Sequence, residues 1–116
     1  MAENNIESTG LSPETIKRIY QVFAHSPEIE QVYIYGSRAK GNYQPGSDID
    51  LAIKGKQVTT SQLYRIESEL DDLLLPYKID LSLLHCIENQ ALLKHIRRVG
   101  IIFYTPDMLV NSGTLY

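Results

Sequence analysis

The stretch YGSRAKGNYQPGSDIDLAI, residues 35–53, links the end of one apolar strand to the next through a loop rich in glycine and basic residues. The second strand begins with Asp48-Ile49-Asp50, which places carboxylates at positions i and i+2. Side chains two residues apart on a strand point to the same face, so these negative charges repel each other unless a positive group lies between them. The stretch therefore predicts a polar site at the start of a buried strand.

The composition is typical of one globular domain. The chain has 116 residues, 43% apolar and 22% charged, and its formal net charge of −3 gives no reason to expect binding to nucleic acid or anionic membranes. Cys86 is the only cysteine, so no intrachain disulfide can form, which fits a reducing compartment. The N-terminal residues do not resemble a signal peptide, and no apolar run reaches the roughly 20 residues that span a bilayer. We expect a cytoplasmic protein without a membrane segment.

The spacing of apolar residues predicts the element order α, β, β, α, β, α, β. Ser12 and Pro13 indicate the N-cap and first residue of the first helix. The predicted elements are helices over 13–25, 61–75 and 87–98, and strands over 32–35, 48–53, 77–84 and 101–104. This pattern indicates a small α/β domain over residues 12–105, in which helices pack on one mixed β-sheet. Residues 1–11 are predicted to be a flexible tail, and residues 106–116 a C-terminal tail.

Three acidic residues lie on the polar faces of otherwise apolar strands, namely Asp48, Asp50 and Asp80. Two such strands side by side could bring all three carboxylates within a few ångströms of one another. Oxygen ligands of this kind suit Mg²⁺ or Mn²⁺, and paired metal ions stabilise the attacking and leaving oxygens in nucleotidyl transfer. The alternative is that Asp-x-Asp only begins a strand and faces solvent.

The loop before Asp48 favours a functional site over that alternative. Gly36 lets backbone N–H groups approach an anion, and Ser37 adds a hydroxyl donor. Arg38 and Lys40 add positive charge. A phosphate-binding loop beside a metal site is what a nucleoside triphosphate requires. An EF-hand is excluded because an apolar residue stands where that motif requires a third oxygen ligand, two residues after Asp50, and a P-loop is excluded because no Gly-Lys-Ser/Thr follows the glycines.

The spacing of Gly36-Ser37, ten intervening residues and Asp48-Ile49-Asp50 resembles the nucleotidyltransferase signature of the DNA polymerase β superfamily. Asp80, in YKIDLSLL, matches the third carboxylate of that family. The chain length and the ending HIRRVGIIFY resemble the minimal nucleotidyltransferase (MNT) branch, whose members are commonly paired with small helical HEPN-type proteins as antitoxin and toxin. The resemblance covers about residues 13–104.

The resemblance implies the nucleotidyltransferase fold and a role for each motif residue. Gly36 and Ser37 would hold the triphosphate of ATP. Asp48 and Asp50 would bind two Mg²⁺ ions, for which Mn²⁺ could substitute. The third carboxylate would bind the catalytic metal and help to activate the acceptor hydroxyl. Arg38, in the same loop, is a further candidate for phosphate binding.

The activity implied is transfer of a nucleoside monophosphate, with AMP expected, from a nucleoside triphosphate to a hydroxyl acceptor. Larger members of the superfamily carry a second domain for the acceptor, and this chain has no room for one. The resemblance therefore implies that the acceptor is a HEPN-type toxin, expected from an adjacent gene and silenced by the transfer. Two alternatives stay open: a non-catalytic antitoxin that occludes its partner, and nucleotidylation of a small molecule such as an aminoglycoside, with a homodimer or a partner completing the pocket.

The remaining polar residues give weaker signals. The histidines have no metal-ligand spacing and are predicted to lie at the surface or at helix ends: His25, His85 and His95. The basic cluster over residues 94–98 is attributed to the favourable interaction of cations with the end of a helix. Tyr43 is expected to be exposed in the loop over residues 36–47, where it could contact the nucleotide or the partner, or accept a nucleotide itself.

Overall fold

The computed structural model describes residues 6–108, which form four β-strands, four α-helices and two short 3-10 helices. The α-helices are α1 (Pro13–Phe23), α2 (Ser37–Lys40), α3 (Thr60–Asp71) and α4 (Gln90–Val99). The strands are β1 (Gln31–Tyr35), β2 (Ile49–Lys54), β3 (Ile79–Leu83) and β4 (Ile101–Tyr104). The 3-10 helices cover Ile6–Thr9 and Leu84–Cys86. Within residues 6–108, no helix is both long and apolar enough to cross a membrane.

The four strands form one mixed sheet in the order β3-β2-β1-β4. β1 is antiparallel to β2 and to β4, whereas β2 and β3 run parallel. A parallel pair needs a crossover connection, and α3 supplies it between β2 and β3. The predicted α/β class, with helices on a small mixed sheet, is confirmed.

Helices cover both faces of the sheet, but unequally. On one face, α1 and α3 pack against the alternating apolar residues of all four strands. The largest fully buried members of this core are Phe23, Phe103, Ile19, Ile29, Ile34, Ile49, Leu51, Ile53 and Ile66. On the other face, α4 packs through Ile96 against Tyr35 and Ala52. Asp50 lies between the inward residues Ile49 and Leu51, so its side chain points to the α4 face.

Local signals place the helix ends. The Ser12 side chain accepts a hydrogen bond from the Thr15 backbone N–H at 3.1 Å, which confirms Ser12 as the N-cap of α1. Thr59 and Gln62 form a reciprocal capping box at the start of α3. That helix ends at Asp71, earlier than predicted, and Leu74 takes a φ of 55°. A proline at position 76 disfavours helical backbone at residue 75, so the helix does not reach the end predicted for it.

Two predictions about irregular segments were wrong. The predicted loop after β1 contains the short helix α2. The predicted flexible tail at 1–11 is folded in its described part, because Thr9 is 0% exposed and Leu11 is 5% exposed within the main core. Residues 1–5 and 109–116 of the two predicted tails lie outside the described residues.

Tyr20 of α1 should make stability fall at alkaline pH. Its hydroxyl donates to the Phe103 carbonyl oxygen, and burial, with a smaller contribution from Tyr104, raises its pKa from 10.0 to about 12. From pH 10 to about 12 the unfolded state therefore loses this proton first, and the free energy of unfolding falls as pH rises. Tyr20→Phe should flatten this fall and cost about 1 kcal/mol at neutral pH through the lost hydrogen bond. Urea unfolding at several pH values measures both effects.

The matched control for Tyr20→Phe is Tyr64→Phe, since Tyr64 is 64% exposed on α3. It should leave both the neutral stability and its alkaline decline unchanged. An alkaline decline as steep in Tyr20→Phe as in the wild-type protein would contradict the assignment to Tyr20.

Candidate active site

Two of the three predicted carboxylates are brought together by strand register. Asp50 of β2 and Asp80 of β3 are direct partners in the parallel ladder. Both point to the α4 face, because Asp50 alternates with buried Leu51 and Asp80 with buried Leu81. Adjacent strands lie about 4.8 Å apart, so the two side chains are neighbours on this face of the sheet. Asp50 is half-buried and Asp80 is exposed.

Asp48 occupies a different position from the one predicted. It lies one residue before β2, in the loop, and its side chain is exposed. Its charge still reaches Asp50. Burial is the largest cause that raises the pKa of Asp50 above its ordinary 3.8, followed by repulsion from Asp80 and then from Asp48, while His95 opposes the shift. The three carboxylates are thus electrostatically coupled, although only two lie on paired strands.

Gly36 brings the backbone of the Gly-Ser turn directly against Asp50. Its φ of 75° and ψ of −154° belong to a region that is essentially restricted to glycine. A Cβ atom at this position would lie 2.3 Å from Asp50 Oδ2, so glycine is required by space as well as by conformation. Ser37 follows as the first residue of α2 and is half-buried. Gly36 therefore lies beside the paired carboxylates, and Ser37 is the next residue along the chain.

The position of Arg38 differs from the one expected for a residue that contacts phosphate. Its side chain is buried at 2% exposure, and its guanidinium donates to the carbonyl oxygens of Thr9 at 2.8 Å and Ser47 at 3.2 Å. The rings of Tyr43 and Tyr77 lie on it with centroid distances of 4.9 and 4.8 Å. Tyr43 is half-buried by this contact, whereas the sequence predicted an exposed residue.

His95 is a site residue for which the sequence predicted a position at the surface or at a helix end. Its Nε2 accepts a hydrogen bond from the Gly36 N–H at 3.3 Å, and its ring packs edge-on against Tyr35. The spacing of apolar residues in α4 indicates that His95 faces the sheet. It lies three residues after Leu92 and four before Val99, both of which pack against the sheet. The lysine and the two arginines of the basic cluster at 94–98 are exposed. The cluster is therefore divided between the site and the surface.

Tyr35 is a second residue that periodicity alone did not assign to the site. It lies opposite Asp50 in the antiparallel ladder and is buried at 7% exposure. Burial is the main cause that raises the pKa of Tyr35, and the charge of Asp50 adds to it, whereas a hydrogen bond with Ser82 opposes it. The Tyr35 hydroxyl thus stays protonated at neutral pH and forms one wall of the site.

The carboxylates fit a hard divalent cation chemically. Across residues 6–108, no group of three or more His, Cys, Asp or Glu side chains is close enough in this conformation to hold a metal ion. The donor set is nevertheless all oxygen, as Mg²⁺ and Mn²⁺ prefer. The mutual repulsion at Asp50 is also of the kind that a bound cation relieves. Asp50 and Asp80 would hold such an ion from the sheet, and Asp48 from the loop.

Comparison with known proteins gives one family and one fold. The family model described as polymerase beta, nucleotidyltransferase, matches residues 17–108. A solved toxin–antitoxin structure with AMP-PNP has a TM-score of 0.64 at 19% identity, and the match covers 80% of this chain and 75% of the other. A complex of tri-AMPylated Shewanella oneidensis HEPN toxin with MNT antitoxin has a TM-score of 0.60 at 16% identity, covering 84% and 76%. A putative nucleotidyltransferase from Sulfolobus solfataricus has a TM-score of 0.53 at 22% identity, covering 92% of both chains.

These likenesses differ in what they establish. No curated protein is significantly similar in sequence to the chain. Because the solved structures are less than a quarter identical to it, they establish the nucleotidyltransferase fold alone. The family model extends over most of the described residues, from within α1 to beyond the end of β4, and includes the Gly-Ser turn and all three carboxylates. The chain belongs to the polymerase beta nucleotidyltransferase family.

Proposed function

We propose that this protein transfers AMP from ATP to a hydroxyl group on a helical HEPN-type partner protein, and that the transfer silences the partner. Mg²⁺ is the proposed metal, and Mn²⁺ could replace it. The proposal is an antitoxin activity performed by covalent modification.

One observation carries the proposal: Asp50 and Asp80 are paired on adjacent parallel strands while Gly36 lies against Asp50. This arrangement places a backbone turn that can approach phosphate beside carboxylates that can hold a metal–phosphate group. A solvent-facing pair of strand residues would not require glycine at the contact. The close approach supports a built site for nucleotide.

The reaction proposed is a single in-line displacement. The acceptor oxygen attacks the α-phosphorus of ATP, the bond from that phosphorus to the bridging oxygen breaks, and pyrophosphate leaves with the electron pair. Bound metal ions would neutralise charge on the attacking and leaving oxygens. Asp80 is exposed beside the site, so its carboxylate is the proposed acceptor of the hydroxyl proton. Asp50 would orient the nucleotide from the half-buried position, and Ser37 would donate to a phosphate oxygen.

Two observations support a protein as the acceptor: the exposure of the carboxylates and the partners present in structures of similar fold. Asp48 and Asp80 are exposed, so a hydroxyl on the surface of another protein can reach the carboxylates. Among the structures of similar fold, one contains an AMPylated HEPN toxin with its MNT antitoxin and another a toxin–antitoxin with AMP-PNP. A HEPN-type partner from an adjacent gene is therefore the first acceptor to test.

The test is transfer of label from α-³²P-ATP with Mg²⁺ to the purified partner, comparing wild type with Asp48→Ala. Asp48 is exposed in a loop, so its removal should leave the fold intact. We expect label on the partner with the wild-type protein and a loss of about 100-fold or more in Asp48→Ala, because one charged ligand of the metal–phosphate group is gone. Asp71→Ala, which removes an exposed acid at the end of α3, is the control and should transfer normally.

Other outcomes separate the alternatives. A tight complex without label, in which Asp48→Ala still neutralises the partner, would replace the proposal with an antitoxin that acts by occlusion. Label on an added aminoglycoside and none on the partner would replace it with small-molecule nucleotidylation.

A further inference from the structure

We infer that Arg38 is a positioning residue, which holds the motif loop (residues 41–48) in place from inside the protein, and that it does not bind the nucleotide. The inference rests on the proposed function only for its consequence for activity. It assigns a role to a basic residue that the sequence alone suggested for phosphate.

The Arg38 guanidinium links the end of the motif loop to the N-terminal segment that precedes α1. Arg38 Nε donates to the carbonyl oxygen of Ser47, the residue immediately before Asp48. One terminal nitrogen donates to the carbonyl oxygen of Thr9, in the segment before α1. A planar guanidinium presents its donors in a fixed fork, so both carbonyls are held in one geometry. The position of Asp48 is thereby tied to the N-terminal segment.

Aromatic rings enclose the same charge from two segments. Tyr43 belongs to the motif loop and Tyr77 to the chain that enters β3, the strand of Asp80. A guanidinium over an aromatic face is attracted by the ring, and the attraction is strongest where water is excluded. At 2% exposure Arg38 meets that condition. The residue therefore contacts the segments that lead into two of the three carboxylates.

The N-terminal segment packs on the loop from outside. A Cβ atom at Gly10, whose φ is 79°, would lie 2.4 Å from the Tyr43 hydroxyl oxygen and 2.5 Å from its ring carbons. Thr9 and Leu11 on either side are buried. Because the segment covers Tyr43 and Tyr43 covers Arg38, nucleotide has no access to the guanidinium from this side. A phosphate contact would require exposed donors, and the burial of Arg38 argues against one.

The test is amide hydrogen exchange of Arg38→Lys, read at the Gln44 and Ser47 amides. Both are hydrogen-bonded within the loop, from Gln44 N to Ser47 Oγ at 2.8 Å and from Ser47 N to Gln44 O at 2.9 Å. Lysine keeps the charge and loses the planar fork, so these amides should exchange about tenfold faster, while β1 and β2 amides keep their rates. Arg65→Lys, the same change on an exposed face of α3, should leave the loop unchanged.

Steady-state kinetics supply the second readout. Under the positioning role kcat for AMP transfer falls about tenfold in Arg38→Lys and the KM for ATP changes less than about threefold. Unchanged loop exchange together with a tenfold higher KM would overturn the inference and restore the phosphate contact. If the wild-type protein transfers no AMP, the proposed function fails, and the exchange result still decides the role of Arg38.

Gly10→Ala provides the answer if Arg38→Lys does not fold. The added methyl group must displace the Tyr43 ring, yet the variant keeps every group of Arg38 and of the carboxylates. Faster exchange at the Gln44 and Ser47 amides is the expected result. Wild-type exchange rates at these amides in a folded Gly10→Ala would overturn the coupling of loop and N-terminal segment.

Discussion

Asp50→Asn should abolish AMP transfer, lowering its rate by about 10³-fold, and should at the same time stabilise the metal-free protein. The change keeps the size and shape of the side chain and removes its negative charge. Asp50 is the carboxylate on β2, an inner strand of the sheet, between the Gly-Ser turn and Asp80. The transfer assay with labelled ATP measures the first effect, and thermal unfolding in a chelating buffer measures the second.

The stabilisation follows from the direction of the Asp50 pKa shift. Burial and the charges of Asp80 and Asp48 raise the pKa of Asp50 above 3.8, so ionisation of this residue costs folding free energy. In the wild-type protein, protonated Asp50 makes its full contribution to stability below pH 3.8. That contribution is lost as pH rises through the higher pKa of Asp50 in the folded state. The unfolding temperature of Asp50→Asn should therefore exceed that of wild type at neutral pH, by a few degrees, and the difference should shrink in acid.

Asp71→Asn is the matched control, because Asp71 is an exposed acid at the end of α3. It removes the same charge and should leave transfer unchanged, and the loss of an anion from the C-terminus of a helix should raise the unfolding temperature less than Asp50→Asn does. Full activity in Asp50→Asn would contradict the role of the paired carboxylates. A lower unfolding temperature in that variant would contradict the electrostatic account of the site.

Gly36→Ala should lose about 100-fold or more of the transfer activity and should destabilise the protein. Two independent costs act at this position. A non-glycine residue at φ 75° and ψ −154° is strained, by about 1–3 kcal/mol. The added Cβ would also lie 2.3 Å from Asp50 Oδ2, so the carboxylate or the turn must shift. Transfer kinetics and urea unfolding, measured on the same preparation, report the two consequences.

Gly41→Ala separates strain from displacement. Gly41 ends α2 with a φ of 86°, and nothing lies within 4 Å of a Cβ atom placed there. The alanine should cost about 1 kcal/mol of stability through its left-handed backbone and should keep transfer within a few-fold of wild type. Equal losses of activity in Gly36→Ala and Gly41→Ala would show that loop strain alone explains both, and would refute the close contact with Asp50.

The sequence predicted those features of the site that depend on neighbouring residues. The Gly36-Ser37 turn and the Asp-x-Asp strand start were found from spacing, and the alternation of apolar residues identified the buried face of β2. Their proximity in space is now a structural fact, whereas their catalytic roles stay a prediction. His95 was missed because a lone histidine was read by its type, although the helical period placed it on the inward face of α4.

The sequence by itself determined the α/β class, the N-cap of α1 and the order of the strands along the chain, because each depends on residues a few positions apart. Only the tertiary structure decided that Asp50 pairs with Asp80, that His95 accepts from Gly36, and that Arg38 is buried between tyrosines from two segments. Contacts between distant residues depend on strand register and on how helices pack across the sheet. A buried guanidinium and a solvated one look the same in a sequence, since the difference between them is made by the residues that surround them.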